Sequence, residues 1–366
     1  MINIKKKISF IYKSLIKKLF KILYGEIYFL KNQKYSSNVK VYEIKNSKIR
    51  NVSNRKYSVY KILNGRISTD YVENVSIIDK NRIINEVSYQ QIKGVLKNPR
   101  YNSSIKNGTP YIKRRVKGRV LSLAQGASGH TNYFHWLFDM LPKIKLYSER
   151  FDLKKLDYIY ASKLLKYQKK TLDLMGLQKI KIIDASKYRH INSEEIIVPE
   201  HPWYNKGQIL EEVGKIPPWI IIWIKHKFLN HKIKFRANDK IFIDRSESKF
   251  NHCQIQNNDE VIDFLRNKGF SSYKVGKLSF QKQIYLFSKA KVIIGAHGAA
   301  FTNLAFSKPN TKIIEIKPAD HPNTVNKRIS QINSLNYKLI KTPKINKNFS
   351  SKGDIFLDVK KLNKLI

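Results

Sequence analysis

The sequence predicts an α/β protein of two Rossmann-like domains with a strand-rich portion near its start. Three observations predict it. At 366 residues the chain is longer than one ordinary hydrophobic core fills. Two stretches alternate short apolar strands with helices, the pattern of parallel sheets covered on both faces. Between them, residues 201–218 hold three prolines and two glycines, the composition of a boundary.

Residues 1–30 form the first element. Ile8, Phe10, Ile11, Leu15, Ile16, Leu19, Phe20 and Leu23 recur at helical spacing, with lysines filling much of the rest. This is a basic amphipathic helix. It either lies on an anionic membrane surface or docks on its own domain with a solvated lysine face.

Residues 31–205 read as an N-terminal α/β domain. Short strands are expected at 41–44, 58–63, 75–78 and 119–124, punctuated by Asn, Ser and Gly. A helix follows over 132–148, interrupted by Pro142, then a strand at 157–161, a helix at 163–175 ended by Gly176, and a strand at 179–183. Residues 206–238 are the connector, where Pro218 is well placed as a first helical residue.

Residues 239–345 repeat the alternation more cleanly. Strands are expected at 241–244, 270–275, 291–295, 312–316 and 337–340. Helices fall at 259–268, stopped by Gly269, from the cap Ser279 to about 288, at 301–306 and at 325–335. Residues 346–366 read as a tail. Ligands of doubly wound sheets bind beyond the carboxyl ends of the strands, and two such domains would face a cleft.

Lys and Arg number 71 against 27 Asp and Glu, a formal net charge of +44. Such an excess favours anions, including pyrophosphates and anionic lipids. It is spread along the chain and accompanies a general richness in Lys, Ile, Asn and Tyr. No aromatic–basic recognition module appears, so no specific nucleic-acid partner is expected. Cys253 is the only cysteine, which excludes an internal disulfide and fits a reducing, cytoplasmic location. No secretory signal is recognisable, and no apolar run approaches the ~20 residues of a membrane span.

Three loops carry candidate chemistry. In KVIIGAHGAAFTNLAFSKPNTKIIEI, the residues around His297, Gly298 and Ala299 are small enough for a ligand to approach the backbone at a helix N-terminus. His297, Thr302 and Asn303 offer donors to phosphate, and Glu315 on the next strand could accept the two hydroxyls of a ribose. Arg245, directly after a strand, could clamp a pyrophosphate. In NYFHWLFDMLP, His135 and Asp139 are four apart and share a helical face. Either could act as a general base, or the Asp could orient the His. There is no Asp-x-Asp pair, no metal-ligand Cys/His spacing, no GxxxxGK[ST] loop and no GxSxG elbow, so neither a metal nor another cofactor is expected.

NYFHWLFDMLPKI followed by LSFQKQIYLFSKAKVIIGAHGAA and FTNLAFSKPNTKIIEI closely resembles glycosyltransferase family 61, often labelled capsular polysaccharide biosynthesis proteins in bacteria. The resemblance runs from about residue 126 to 318. It implies a GT-B-like fold: two Rossmann-like domains facing a cleft, with the nucleotide-sugar held mainly by the C-terminal one. It implies inverting, metal-independent transfer of a sugar from a nucleoside diphosphate donor to a hydroxyl of a glycan or lipid-linked glycan acceptor. The enzyme would work on the inner face of the plasma membrane. Asp139 is then the expected base, with His135 contacting acceptor or donor. Arg245, His297 and the backbone of residues 298–303 would meet the departing diphosphate. A second arginine common in the family is absent from Asn251-His252-Cys253-Gln254-Ile255-Gln256-Asn257, where Lys249 or His252 would have to replace it. A chain that kept the fold but lost catalysis would instead bind nucleotide-sugars or anionic polymers.

Overall fold

A computed structural model of the chain describes residues 2–31, 34–51, 53–70, 74–92, 94–124, 131–204, 207–230, 233–247, 253–343 and 353–366. The chain divides into two compact units. Unit 1 comprises residues 1–165 and 177–212, and unit 2 residues 166–176 and 213–366.

Unit 1 opens with the helix α1 (Ile2–Tyr24), ended by Gly25 at φ +79°, the left-handed conformation glycine adopts without penalty. Twelve strands follow: β1 (Val39–Glu43), β2 (Ser58–Leu63), β3 (Arg66–Thr69), β4 (Asn74–Asp79), β5 (Arg82–Ile83), β6 (Tyr89–Ile92), β7 (Val95–Leu96), β8 (Lys113–Ser122), β9 (Tyr158–Ala161), β10 (Lys181–Asp184), β11 (His190–Pro199) and β12 (Gly207–Gln208). They join in the order β10-β9-β8-β11-β3-β4-β6-β7-β12, with β2 also paired to β11, β1 to β2 and β5 to β4.

The sheet of unit 1 is mixed. β8, β9, β10 and β11 are joined by parallel ladders, whereas β1–β4 and β11 meet antiparallel. The parallel pairing expected of a Rossmann-like domain is therefore confined to one end. Short hairpin connections through residues 58–96 leave no room for crossover helices, and antiparallel pairing is what such connections permit. The core is aliphatic, with Ile62, Ile67, Ile77, Val120, Ile191 and Ile196 buried together.

Unit 2 follows the expectation closely. β13 (Lys240–Ile243), β14 (Ser271–Tyr273), β15 (Val292–Ala296), β16 (Lys312–Pro318) and β17 (Asn336–Thr342) are all parallel, in the order β14-β13-β15-β16-β17. Ile241, Phe242, Ile293, Ile294, Ile313 and Ile314 are buried, as a sheet covered on both faces requires. The helices Asn258–Asn267 and Phe280–Lys289 run between strands, and Ser279 Oγ caps the second by accepting from Lys282 N. Residues 353–366 add to this core. Ile355 bridges Ile255, and Leu357 and Leu362 are buried with it.

One element differs in kind. The expected α-helix after β15 is a run of 3-10 turns, Ala299–Phe306, with no side-chain cap. A 3-10 run is wound tighter than an α-helix, with i→i+3 bonds of poorer geometry.

Candidate active site

In unit 1 the helix carrying His135 and Asp139 is widened in its middle. Asn132 Oδ1 caps it, accepting from Phe134 N at 2.9 Å. Residues Trp136–Met140 then form a π turn, closed by Leu141 N donating to Trp136 O. Pro142 brings no N–H and its ring would crowd the preceding carbonyls of an α-helix, so a wider turn relieves the ladder there. π turns are frequent at functional sites.

The turn brings His135 Nδ1 to 2.6 Å from Asp139 Oδ2. Asp139 is 2% exposed, and its other oxygen accepts from Trp203 Nε1 at 2.6 Å. Nδ1–H donating to a carboxylate leaves the lone pair of His135 on Nε2. His135 itself is only partly buried. Beneath them, His201 Nδ1 accepts from the backbone N–H of Trp203 at 3.2 Å and of Tyr204 at 2.8 Å. Its proton therefore sits on Nε2, 3.9 Å from Asp139 Oδ2. Burial, with Lys143 and His135 adding to it, holds His201 well below the usual histidine range. Lys143 is fully buried, and burial lowers its amine to about 7 against the opposing pull of Asp139.

In unit 2 the strand order reverses at β13: the chain passes to β14 on one side and returns to β15 on the other. The loops leaving the carboxyl ends of β13 and β15 meet at such a reversal, where doubly wound sheets bind ligands. They carry Arg245 and His297. Arg245 Nη1 donates to the carbonyl of His297. A Cβ on Gly298 would fall 1.5 Å from that same Nη1, so only glycine lets the guanidinium lie against this loop. Phe301 N makes the first turn bond, to Gly298 O at 3.0 Å, and Ala299, which precedes it, is exposed.

His297 is oriented by a second carboxylate. Its Nδ1 lies 2.5 Å from Glu315 Oε1, which also accepts from Asn326 Nδ2 at 2.7 Å. Tyr337 Oη donates to Glu315 Oε2. Burial works to raise the Glu315 carboxyl, yet the hydrogen bond from His297 and its charge, with Tyr337, bring it below its ordinary value. The ring of His321 packs on that of His297, with centroids 4.3 Å apart. Lys317, two residues beyond Glu315, is buried with its Nζ donating to Asn323 O at 2.6 Å.

These placements revise several expectations. Glu315 has both oxygens occupied by protein donors and is 1% exposed, which suits a partner of His297 and not an acceptor for ribose. Thr302 and Asn303 are buried under the loop, and Asn303 Nδ2 donates to Gln283 Oε1 at 3.0 Å. They shape the loop without facing solvent. Lys249, Asn251 and His252 lie outside the described residues.

Residues 133–314 match the family model described as Glycosyltransferase 61. The chain belongs to glycosyltransferase family 61. The match opens on the His135–Asp139 helix and closes within β16, and so takes in the Asp139 cluster, Arg245 and His297, with Glu315 just beyond its end. No curated protein matches the chain. In this glycosyltransferase, residues that sequence reasoning missed complete each cluster: Trp203, His201 and Lys143 around Asp139, and Asn326, Tyr337, His321 and Lys317 around Glu315. Only Lys143 carried a local signal, since it stands four residues from Asp139 beyond a proline.

Proposed function

We propose that this transferase moves a sugar, with inversion, from a nucleoside diphosphate donor to a hydroxyl of a cell-surface, capsular-type polysaccharide acceptor, without depending on a metal. The reading includes a GT-B-type plan in which unit 1 handles the acceptor and unit 2 the donor. It places the work in the cytoplasm, on the inner face of the plasma membrane.

The observation that carries it is the 2.6 Å contact of His135 with a buried, doubly bonded Asp139. It supports His135 as the base and Asp139 as the group that orients it, where the family resemblance made Asp139 the expected base. His135 Nε2 takes the acceptor proton. The acceptor oxygen forms its bond to the anomeric carbon as the carbon–oxygen bond to the diphosphate breaks, and the electron pair leaves on phosphate. Arg245, His297 and the Gly298–Ala299 backbone receive that charge, a role that fixed donors fill without reorganisation. A hexosyl or pentosyl group is within this chemistry.

Purified protein is tested against a panel of uridine, guanosine and cytidine diphosphate sugars with oligosaccharide acceptors. His135→Ala is expected to lower transfer by about 10³-fold while leaving donor affinity near that of the native chain. Donor binding with no transfer by the native chain would favour a non-catalytic binder, and no response to any donor would sink the proposal.

A further inference from the structure

α1 presents its apolar side outward. At 100° per residue, Ile8, Ile11, Leu15, Leu19, Ile22 and Leu23 fall on one arc of the helix. Ile8 is 61%, Leu15 61% and Ile22 83% exposed, values that a helix buried on its own domain by this side could not have. The helix is instead held by its last turn from another side. Arg66 Nη1 donates to Tyr24 O, Lys113 N donates to Tyr24 Oη at 3.1 Å, and the Tyr24 ring meets His190 edge-on with centroids 5.1 Å apart. Phe20 stacks on Tyr24.

We propose that this face of α1 is a docking surface for an anionic lipid bilayer, lying in the interface plane and not crossing it. Six large apolar side chains in one continuous stripe exceed the scattered exposure of an ordinary surface. α1 carries seven lysines and no carboxylate. Lys7 and Lys18 are exposed along the edge of the stripe, with Lys6 and Lys13 exposed on the far side, so apolar insertion and attraction to acidic headgroups act together. The same charge argues against a second copy as occupant, because two such helices would bring fourteen like charges together on a chain of net charge +44. No described helix is long and apolar enough to cross a membrane.

The test uses the full chain and co-sedimentation with phosphatidylcholine vesicles, plain or with about 30 mol % phosphatidylglycerol. The native chain is expected to sediment with the anionic vesicles and not with the neutral ones. Leu15→Asp with Leu19→Asp, and separately Lys7→Glu with Lys18→Glu, should each lower partitioning by about tenfold or more. Ile222→Asp, an equally exposed apolar site on unit 2, should leave it unchanged. These are surface changes, and circular dichroism checks that the fold persists. The proposal is overturned by equal binding to neutral vesicles or by none to either. It is also overturned if the Leu pair leaves binding intact, since charge alone would then suffice. A native dimer that the Leu pair dissolves, seen by sedimentation equilibrium, would assign the face to a second copy instead.

Discussion

The two polar clusters share one wiring diagram and differ in their surroundings. In each, a histidine Nδ1 meets a buried carboxylate, and an aromatic side chain donates to the carboxylate's other oxygen: Trp203 for Asp139, Tyr337 for Glu315. Around His135 the neighbouring basic groups, Lys143 and His201, are both pushed toward neutrality by burial. Around His297 stand the amine of Lys317 and the guanidinium of Arg245; burial lowers the pKa of both, but a guanidinium stays a cation and the Glu315 carboxylate works to keep Lys317 charged. The first setting leaves an imidazole free to take a proton. The second gathers cations, which under the proposed reading would meet a leaving diphosphate. The lesson is that a His–carboxylate pair has no fixed role, and its neighbours assign one.

The comparison breaks most visibly at its carboxylates. Asp139→Asn keeps the shape but loses the charge that fixes the His135 tautomer, and kcat should fall by roughly 10²–10⁴-fold with donor affinity unchanged. If kcat holds, Asp139 does not orient a base. Glu315→Gln should act on the other side of the comparison, lowering affinity for nucleoside diphosphate by about tenfold with a smaller effect on kcat. Titration with inorganic diphosphate sharpens it: a loss that appears there too means Glu315 works through His297, whereas a loss confined to the nucleotide returns it to the ribose.

The smallest effect is a pH signature of the unit 1 surroundings. Lys143 has its folded pKa lowered to about 7 from 10.5, so between those values the unfolded chain binds more protons. Its burial therefore destabilises most below about pH 7, and the penalty fades as pH rises toward 10.5. Lys143→Met should raise the urea midpoint near pH 7, and the gain should shrink steadily toward pH 10. A gain independent of pH would mean that the folded and unfolded amines share one pKa and that burial does not shift it.

Much of unit 2 was legible because its signals are local. Val292-Ile293-Ile294 reads as a buried strand wherever it stands, and Gly269 and Ser279 mark helix ends by their own chemistry. β11 was not legible. Its sequence, HINSEEIIVP, mixes polar residues into a central strand, and what stabilises Glu195 there are Lys61 and Arg119, distant in sequence. The site divided in the same way. His135 and Asp139 pair within one turn, so spacing suggested them. Trp203 lies 64 residues from Asp139 and Tyr337 lies 22 from Glu315, and nothing in a single sequence links them. The ribose role given to Glu315 failed for that reason: its position on the strand was right, but its partners were invisible.

The π turn at Trp136–Met140 makes the geometry around Asp139 a matter of chain length. An α-helix advances about 100° per residue and a π turn less, so deleting one residue within the turn would change the angle between His135 and Lys143 about the axis. No substitution at His135, Asp139 or Lys143 could restore the alignment. In this segment the spacing of the chain is inherited as a unit with its side chains, and insertions or deletions there are more disruptive than most replacements.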